Sequence, residues 1–157
     1  MEFKISYFYQ VRNLPQGYVP LSTAIGDPLW FHDGTKERLR IFVDKRGIIN
    51  GLRAEPIINY RGAGYCPCDM AGKREGECNF FREYYEWLNT VPFQDFCARC
   101  EKVARDISNH FSLVQPKCIV LLVHEAPNNP CSERIPLRHW FAANGKDLQE
   151  FDKNKDF

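Results

Sequence analysis

Five cysteines lie close together in the middle of the chain, and their types and spacing could hold a metal. They are Cys66, Cys68, Cys78, Cys97 and Cys100, which form a C-x-C pair, a single cysteine and a C-x-x-C pair. Zinc takes four thiolate or imidazole ligands in a tetrahedron, so the pattern predicts a structural zinc ion. An iron–sulfur cluster could use the same ligands. The other alternative has no metal, with Cys97 and Cys100 in the core and the loop cysteines as free thiols.

Four further residues follow predicted strands or open a predicted helix, where they could bind an anion and act on it. Arg12 follows the first strand, and Glu125 follows an apolar strand near the C-terminus. Cys131 and Arg134 open the next helix, whose N–H groups and dipole favour negative charge. Guanidinium groups bind phosphate or carboxylate, so we predict anion binding at Arg12 and Arg134. Glu125 is the predicted catalytic carboxylate, and Cys131 is the predicted catalytic thiol.

Each of these four residues also has a structural interpretation, which the sequence leaves open. Either arginine can pair with Glu125 or Glu133 and brace the loops. Cys131 can be a buried inert thiol, which is the commoner environment of a cysteine. Glu125 can accept hydrogen bonds from the N–H groups of the next loop, and His124 is interpreted as a structural histidine.

The composition places the chain among neutral globular proteins. Its 157 residues include 12 Phe, 7 Tyr and 3 Trp, too many aromatic residues for a disordered protein. Trp30, Phe31 and Trp87 could stack a nucleotide base, although most aromatic residues at this density belong to a core. The 21 basic and 20 acidic side chains leave a net charge of +1, which disfavours a zinc-stapled nucleic-acid binder.

No membrane partner and no export are expected from the sequence. No apolar run reaches the length that spans a bilayer, and the first residues lack the pattern of a signal peptide. We therefore expect a cytoplasmic protein. In that reducing compartment the seven cysteines are expected to be thiols or metal ligands and not disulfides.

The elements that must position these residues are predicted to alternate between strands and helices. Apolar alternation at 3–9 predicts a first strand, and the continuous apolar run at 119–123 predicts a strand covered on both faces of a parallel sheet. Helical spacing starts at Phe80 and again at Phe93, and the last helix has Pro136 in its first turn. This order predicts an α/β domain, a Rossmann-like three-layer sandwich with a mainly parallel sheet.

One domain is predicted to span residues 1–145. It carries a Cys-rich, metal-clasped insertion at about 60–79, and a polar C-terminal tail follows at 146–157. Ligands of open parallel sheets bind beyond the carboxyl ends of the strands. Arg12 and the segment 124–134 both lie at such ends, so we expect them to share one crevice.

Three short segments resemble motifs of a known family. They are Gln10-Val11-Arg12-Asn13-Leu14-Pro15, Leu121-Leu122-Val123-His124-Glu125 and Cys131-Ser132-Glu133-Arg134. They are similar to the Asp-Val-Arg-x-x-Pro, Leu-Leu-Cys-x-Glu and Cys-His-Arg motifs of the uncharacterised domain family 488, the YeaO-like domains. Ser6-Tyr7-Phe8 and Pro20-Leu21-Ser22 also resemble forms carried by phages and mobile elements. The chain lacks the strand cysteine and the histidine of the last motif. The resemblance implies a Rossmann-like three-layer fold and supplies no settled activity.

Two functional hypotheses follow from these observations. The first is a Rossmann-like domain that binds a nucleotide or another small anionic metabolite and hydrolyses or transfers it. The alternative is a non-enzymatic binding or regulatory protein with a zinc-stapled fold, such as a phage-type inhibitor that occupies a host protein.

Overall fold

A four-stranded parallel sheet and three α-helices form the frame of the protein. The structure is a computed structural model that describes residues 1–32, 40–55, 79–129 and 131–156. Within these ranges the elements are β1 (Glu2–Tyr7), β2 (Tyr18–Ser22), β3 (Phe42–Val43), β4 (Ile49–Asn50), α1 (Asn79–Leu88), α2 (Phe93–His110), β5 (Cys118–Val123), α3 (Arg134–Ala143) and β6 (Gln149–Glu150). Two 3₁₀-helices, Phe8–Asn13 and Leu29–His32, follow β1 and β2.

The sheet has the strand order β2-β5-β1-β6, and each neighbouring pair is parallel. Ile119 in β5 lies between Phe3 of β1 and Val19 of β2. This confirms the predicted pairing of the first strand with the apolar strand at 119–123. It also confirms the α/β class with a mainly parallel sheet, which is consistent with a Rossmann-like domain.

Burial on both faces explains why β5 is apolar at every position. All six of its residues are buried. Cys118, Val120 and Leu122 pack on one face of the sheet, whereas Ile119, Leu121 and Val123 pack on the other. Since side chains alternate along a strand, a strand with two covered faces carries no polar positions.

The three α-helices pack on the same face of the sheet, which we call the helical face. They contribute Tyr84, Phe96, Trp140 and Phe141 to one core cluster with Ile119 of β5. The opposite face, which we call the 3₁₀ face, is covered by Phe8, Val11 and Phe31 of the two 3₁₀-helices. In the described part of the chain, 3₁₀ turns and irregular segments therefore stand where a three-layer sandwich has its second helical layer.

The first strand ends earlier than the alternation of residues 3–9 predicts. β1 ends at Tyr7, and the chain then forms the 3₁₀-helix Phe8–Asn13. Residues three apart share one side of a 3₁₀-helix, so Phe8 and Val11 are both buried while Tyr9 is 61% exposed. The early turn places Tyr9 and Arg12 on the surface, next to the carboxyl end of the sheet.

An antiparallel hairpin joins β3 and β4, where Phe42 pairs with Asn50. Asp44 closes its turn because its Oδ1 accepts hydrogen bonds from the N–H groups of Arg46 and Ile48. Gly51 follows with a φ of +89°, and a Cβ atom there would lie 2.5 Å from the Arg40 carbonyl oxygen. Only glycine fits this position, which brings the hairpin close to the chain at Arg40.

The segment predicted as a peripheral tail, 146–157, instead completes the sheet. Its residues Gln149 and Glu150 form β6, which pairs with β1, and Leu148 and Phe151 are buried. The Asp156 carboxylate also lies 3.0 Å from the Lys4 ammonium group. The predicted insertion at about 60–79 lies outside the described residues except for Asn79, where α1 begins. No described helix combines the length and apolar character needed to cross a membrane.

Candidate functional site

An open cleft of about 500 Å³ lies beside the carboxyl end of β1, and we call it the aromatic cleft. Its lining combines four aromatic rings with two guanidinium groups, one carboxylate and one amide. The lining residues are Phe8, Tyr9, Val11, Arg12, Trp30, Phe42, Asp44, Arg46 and Asn50. They come from the first 3₁₀-helix, the second 3₁₀-helix and the β3–β4 hairpin, so three separate segments build the cleft.

The Arg12 guanidinium donates no side-chain hydrogen bond to any residue in the described part of the chain. Its guanidinium carbon lies 3.5 Å from the centroid of the Tyr9 ring, and that ring stacks in turn on Tyr7 at 6.2 Å. The stacking orients the guanidinium plane without using its N–H groups. Among the residues that the structure describes, no carboxylate pairs with Arg12, so its donors remain available to a ligand.

Arg46, the second arginine of the cleft, has a structural role. It binds the Asp44 carboxylate through Nε at 3.2 Å and through a terminal nitrogen at 2.5 Å. Its other terminal nitrogen donates to the carbonyl oxygens of Val11 and Arg12. Burial acts to raise the pKa of Asp44, but hydrogen bonds from Arg46 and from the Ile48 N–H hold it below its ordinary value. Arg46 thus ties the hairpin to the first 3₁₀-helix and fixes the floor of the cleft.

A buried polar network anchors the 3₁₀-helix that carries Trp30. The Asp27 carboxylate is fully buried, accepts a hydrogen bond from the Ser22 hydroxyl, and lies 2.7 Å from His32 Nε2. The Arg53 guanidinium lies 3.9 Å from the same carboxylate. Trp30 is 48% exposed and meets the Phe8 ring edge-on at 6.4 Å. The network therefore holds an exposed indole at the rim of the cleft.

Arg134 lies in a different environment, at the start of α3. It is only 4% exposed, and its Nε donates to the Glu150 carboxylate in β6. Another nitrogen donates to the Glu125 carbonyl oxygen at 2.9 Å and to the Ser132 hydroxyl at 3.2 Å. Since β1 lies between β5 and β6, the guanidinium crosses the carboxyl end of β1. These contacts are those of an arginine that braces loops.

Glu133 is a carboxyl group that prefers to keep its proton. Burial raises its pKa to about 8, and the neighbouring Glu125 carboxylate acts in the same direction. The Tyr84 hydroxyl and the Arg134 guanidinium act in the opposite direction but are outweighed. A protonated carboxyl at neutral pH could donate a proton, so Glu133 is a candidate acid that the sequence motifs did not reveal.

The four predicted site residues do not share one crevice. Glu125 and Arg134 meet at the start of α3, on the helical face, where the Glu125 carboxylate also lies 3.5 Å from the Ser132 hydroxyl. Arg12 lies on the 3₁₀ face of the sheet and lines the aromatic cleft. Cys131 is half-buried and packs against Phe81 of α1. Strand ends place these residues at one edge of the sheet, but the two arginines lie on opposite faces.

The two described members of the cysteine cluster lie in the core. Cys97 and Cys100 project from α2 into the cluster of the helical face. Burial raises the pKa of Cys97 to about 11 and that of Cys100 further above its ordinary range. Within the described ranges, no group of three or more metal-ligating side chains occurs. Cys66, Cys68 and Cys78 lie outside the described residues, so the zinc ion stays a prediction.

Thiol labelling of the native protein is expected to separate these cysteines. A pKa raised by two units lowers the thiolate fraction about 100-fold at a fixed pH, so Cys97 should react with iodoacetamide at least that much more slowly than a free thiol. The half-buried Cys131 should react before Cys97 and Cys100. Mass spectrometry of timed samples measures each rate, and labelling in denaturant is the control. If Cys97 and Cys100 become reactive only after a chelator removes a metal, they are ligands and not core thiols.

Comparison with protein-family models, with curated proteins and with solved structures finds no match for this chain. The resemblance to domain family 488 therefore stays a prediction.

Proposed function

We propose that the protein binds a nucleotide or another small planar anion in the aromatic cleft. The observation that carries this proposal is the Arg12 guanidinium, which pairs with no carboxylate of the described residues and lies 3.5 Å from the Tyr9 ring centroid in a cleft with three further aromatic residues. A guanidinium group binds phosphate through two parallel hydrogen bonds. Aromatic side chains stack nucleotide bases and contribute about 1–3 kcal/mol for each base.

The position and size of the cleft also favour a small ligand. It lies beyond the carboxyl end of a parallel strand, where open α/β sheets bind their ligands. Its volume of about 500 Å³ is ordinary for a small-molecule site, for which about 300–1,000 Å³ is typical. Arg46 and the Asp27 network fix two of its walls, so little ordering is left to occur upon binding.

Binding and not catalysis is the role that the cleft residues support. Asp44 is the one carboxylate among the described lining residues, and both of its oxygens already accept hydrogen bonds from Arg46. Hydrolysis or transfer, the predicted role of Glu125 and Cys131, would have to take place at the start of α3. That region lies on the helical face, away from the cleft. We therefore expect a ligand to be released from the cleft without chemical change.

Four exposed apolar side chains favour a second candidate function, the binding of a protein partner. Tyr9, Ile25, Leu29 and Trp30 are each about half exposed, and Tyr9 and Trp30 also line the cleft. Exposed apolar side chains that form one patch are a common feature of protein interfaces. A regulatory protein that occupies a host factor would use this rim, and its affinity would not depend on a nucleotide.

Trp30 provides the test of the proposed function. Stacking of a base on the exposed indole should quench tryptophan emission by a measurable fraction, and replacement of Trp30 by leucine should abolish that response. Trp87→Phe is the matched control, because Trp87 packs against the helical-face core. The proposal fails if none of a panel of nucleotides and aromatic carboxylates changes the emission of the native chain at millimolar concentration.

A further inference from the structure

The charge of the aromatic cleft limits the charge of its ligand. Among the described residues, two guanidinium groups and one carboxylate line it, which leaves one net positive charge. Arg46 is paired with Asp44, so that charge belongs to Arg12. One free guanidinium matches one phosphate group. A triphosphate carries about four negative charges at neutral pH and would leave most of them without a partner in the lining.

Asn50 supplies a second recognition group in the same cleft. Its side chain is buried, and its Nδ2 donates one hydrogen bond to the Ile48 carbonyl oxygen at 3.1 Å. No other hydrogen bond of this amide occurs among the described residues, and its Oδ1 is not among the buried atoms that lack a partner, so that oxygen is accessible. An asparagine amide with a free donor and a free acceptor is complementary to adenine, whose N7 accepts and whose N6 amino group donates.

From these two observations we infer that the ligand is free adenosine monophosphate, with its phosphate on Arg12, its adenine edge on Asn50 and its ring against Trp30. This inference rests on the proposed function and specifies its substrate class. The near-neutral charge of the chain favours a single nucleotide over a nucleic-acid strand, whose repeated phosphates would need several free cations.

Calorimetric titration of the full chain with four matched probes tests the inference. Adenosine monophosphate should bind at least tenfold more tightly than adenosine, which lacks the phosphate. It should also bind at least tenfold more tightly than inosine monophosphate, which lacks the amino group. Adenosine triphosphate should bind no more tightly than the monophosphate.

Variants of two exposed arginines assign the phosphate contact. Arg12→Ala should weaken binding of adenosine monophosphate at least tenfold while leaving the affinity for adenosine unchanged. Arg12→Lys should recover part of the loss. Arg99→Ala is the matched control, because Arg99 is exposed on α2 and does not line the cleft.

Each other outcome overturns the inference. Equal affinity for adenosine and its monophosphate removes Arg12 as the phosphate site, and equal affinity for inosine monophosphate removes adenine recognition by Asn50. Tighter binding of the triphosphate or of a short oligoadenylate shows that more cations are involved than Arg12. If a different planar anion quenches Trp30 emission while adenosine monophosphate does not, the inference fails and the proposed function stands. If no probe does so, both fail.

Discussion

Replacement of Arg134 by alanine is expected to lower the free energy of unfolding by about 3–5 kcal/mol. The variant leaves the Glu150 carboxylate without its ion pair and the Glu125 carbonyl without its donor. It also removes a positive charge that lies beside Glu133. A buried charge that loses its partner keeps its desolvation cost, and for that reason the loss is large. Urea unfolding followed by circular dichroism measures it.

Arg105→Ala is the matched control for this prediction. Arg105 lies on the exposed side of α2, 3.6 Å from Glu101, and half of its side chain is accessible to solvent. Exposed ion pairs of this kind contribute less than about 1 kcal/mol. If Arg134→Ala unfolds like this control but weakens the binding of an anion, Arg134 is a ligand-binding residue and the bracing interpretation is wrong.

Replacement of Glu133 by glutamine is expected to change how stability depends on pH. The folded protein keeps the Glu133 proton up to about pH 8, whereas an unfolded chain releases it near 4.5. Between those values the unfolded state binds fewer protons, so the stability of the native protein falls as pH rises, by at most about 1.4 kcal/mol for each pH unit. Glutamine carries no titrating proton, so this contribution should be absent from the variant.

Urea unfolding at intervals from pH 5 to pH 9 measures the difference. The variant should be more stable than the native chain at pH 9, and the advantage should shrink steadily towards pH 5. Glu83→Gln, an exposed position of the same helix as Tyr84, should give a pH profile parallel to that of the native chain. Parallel profiles for Glu133→Gln would show that the Glu133 carboxyl titrates normally.

The sequence predicts the sheet well because each strand and helix shows its hydrophobic pattern within its own short segment. The unbroken apolar run of β5 requires two covered faces, and the spacing of Phe93 and Phe96 requires a helix with one buried side. These signals do not depend on which other segments lie nearby. The end of β1 is harder to predict, because the alternation continues to Tyr9 and only the burial of Phe8 and Val11 together turns the chain into a 3₁₀-helix.

The candidate site is less predictable, because its residues meet across long separations in the sequence. Arg46 reaches the carbonyl oxygen of Arg12 from 34 residues away, and no local pattern marks that contact. Position at a strand end predicts that Arg12 and Arg134 lie at the same edge of the sheet. It does not predict the face, which depends on the side where each following helix packs. Within the described ranges Arg12 therefore has no ion pair, whereas Arg134 is buried and paired with Glu150.

Because β5 lies between β1 and β2, the central part of the sheet can form only late in the synthesis of the chain. Glu2 and Tyr18 both align with Cys118, so neither early strand can pair with β5 until about a hundred further residues exist. At roughly 5–20 residues per second, a ribosome needs about 5–20 seconds to add them. During that interval the bridge between Ser22 and Arg53 can already form, but the edges of β1 and β2 that pair with β5 stay open to each other and to other chains. A pair formed between them must open again before the native sheet can close, and contacts this distant in sequence make folding slow.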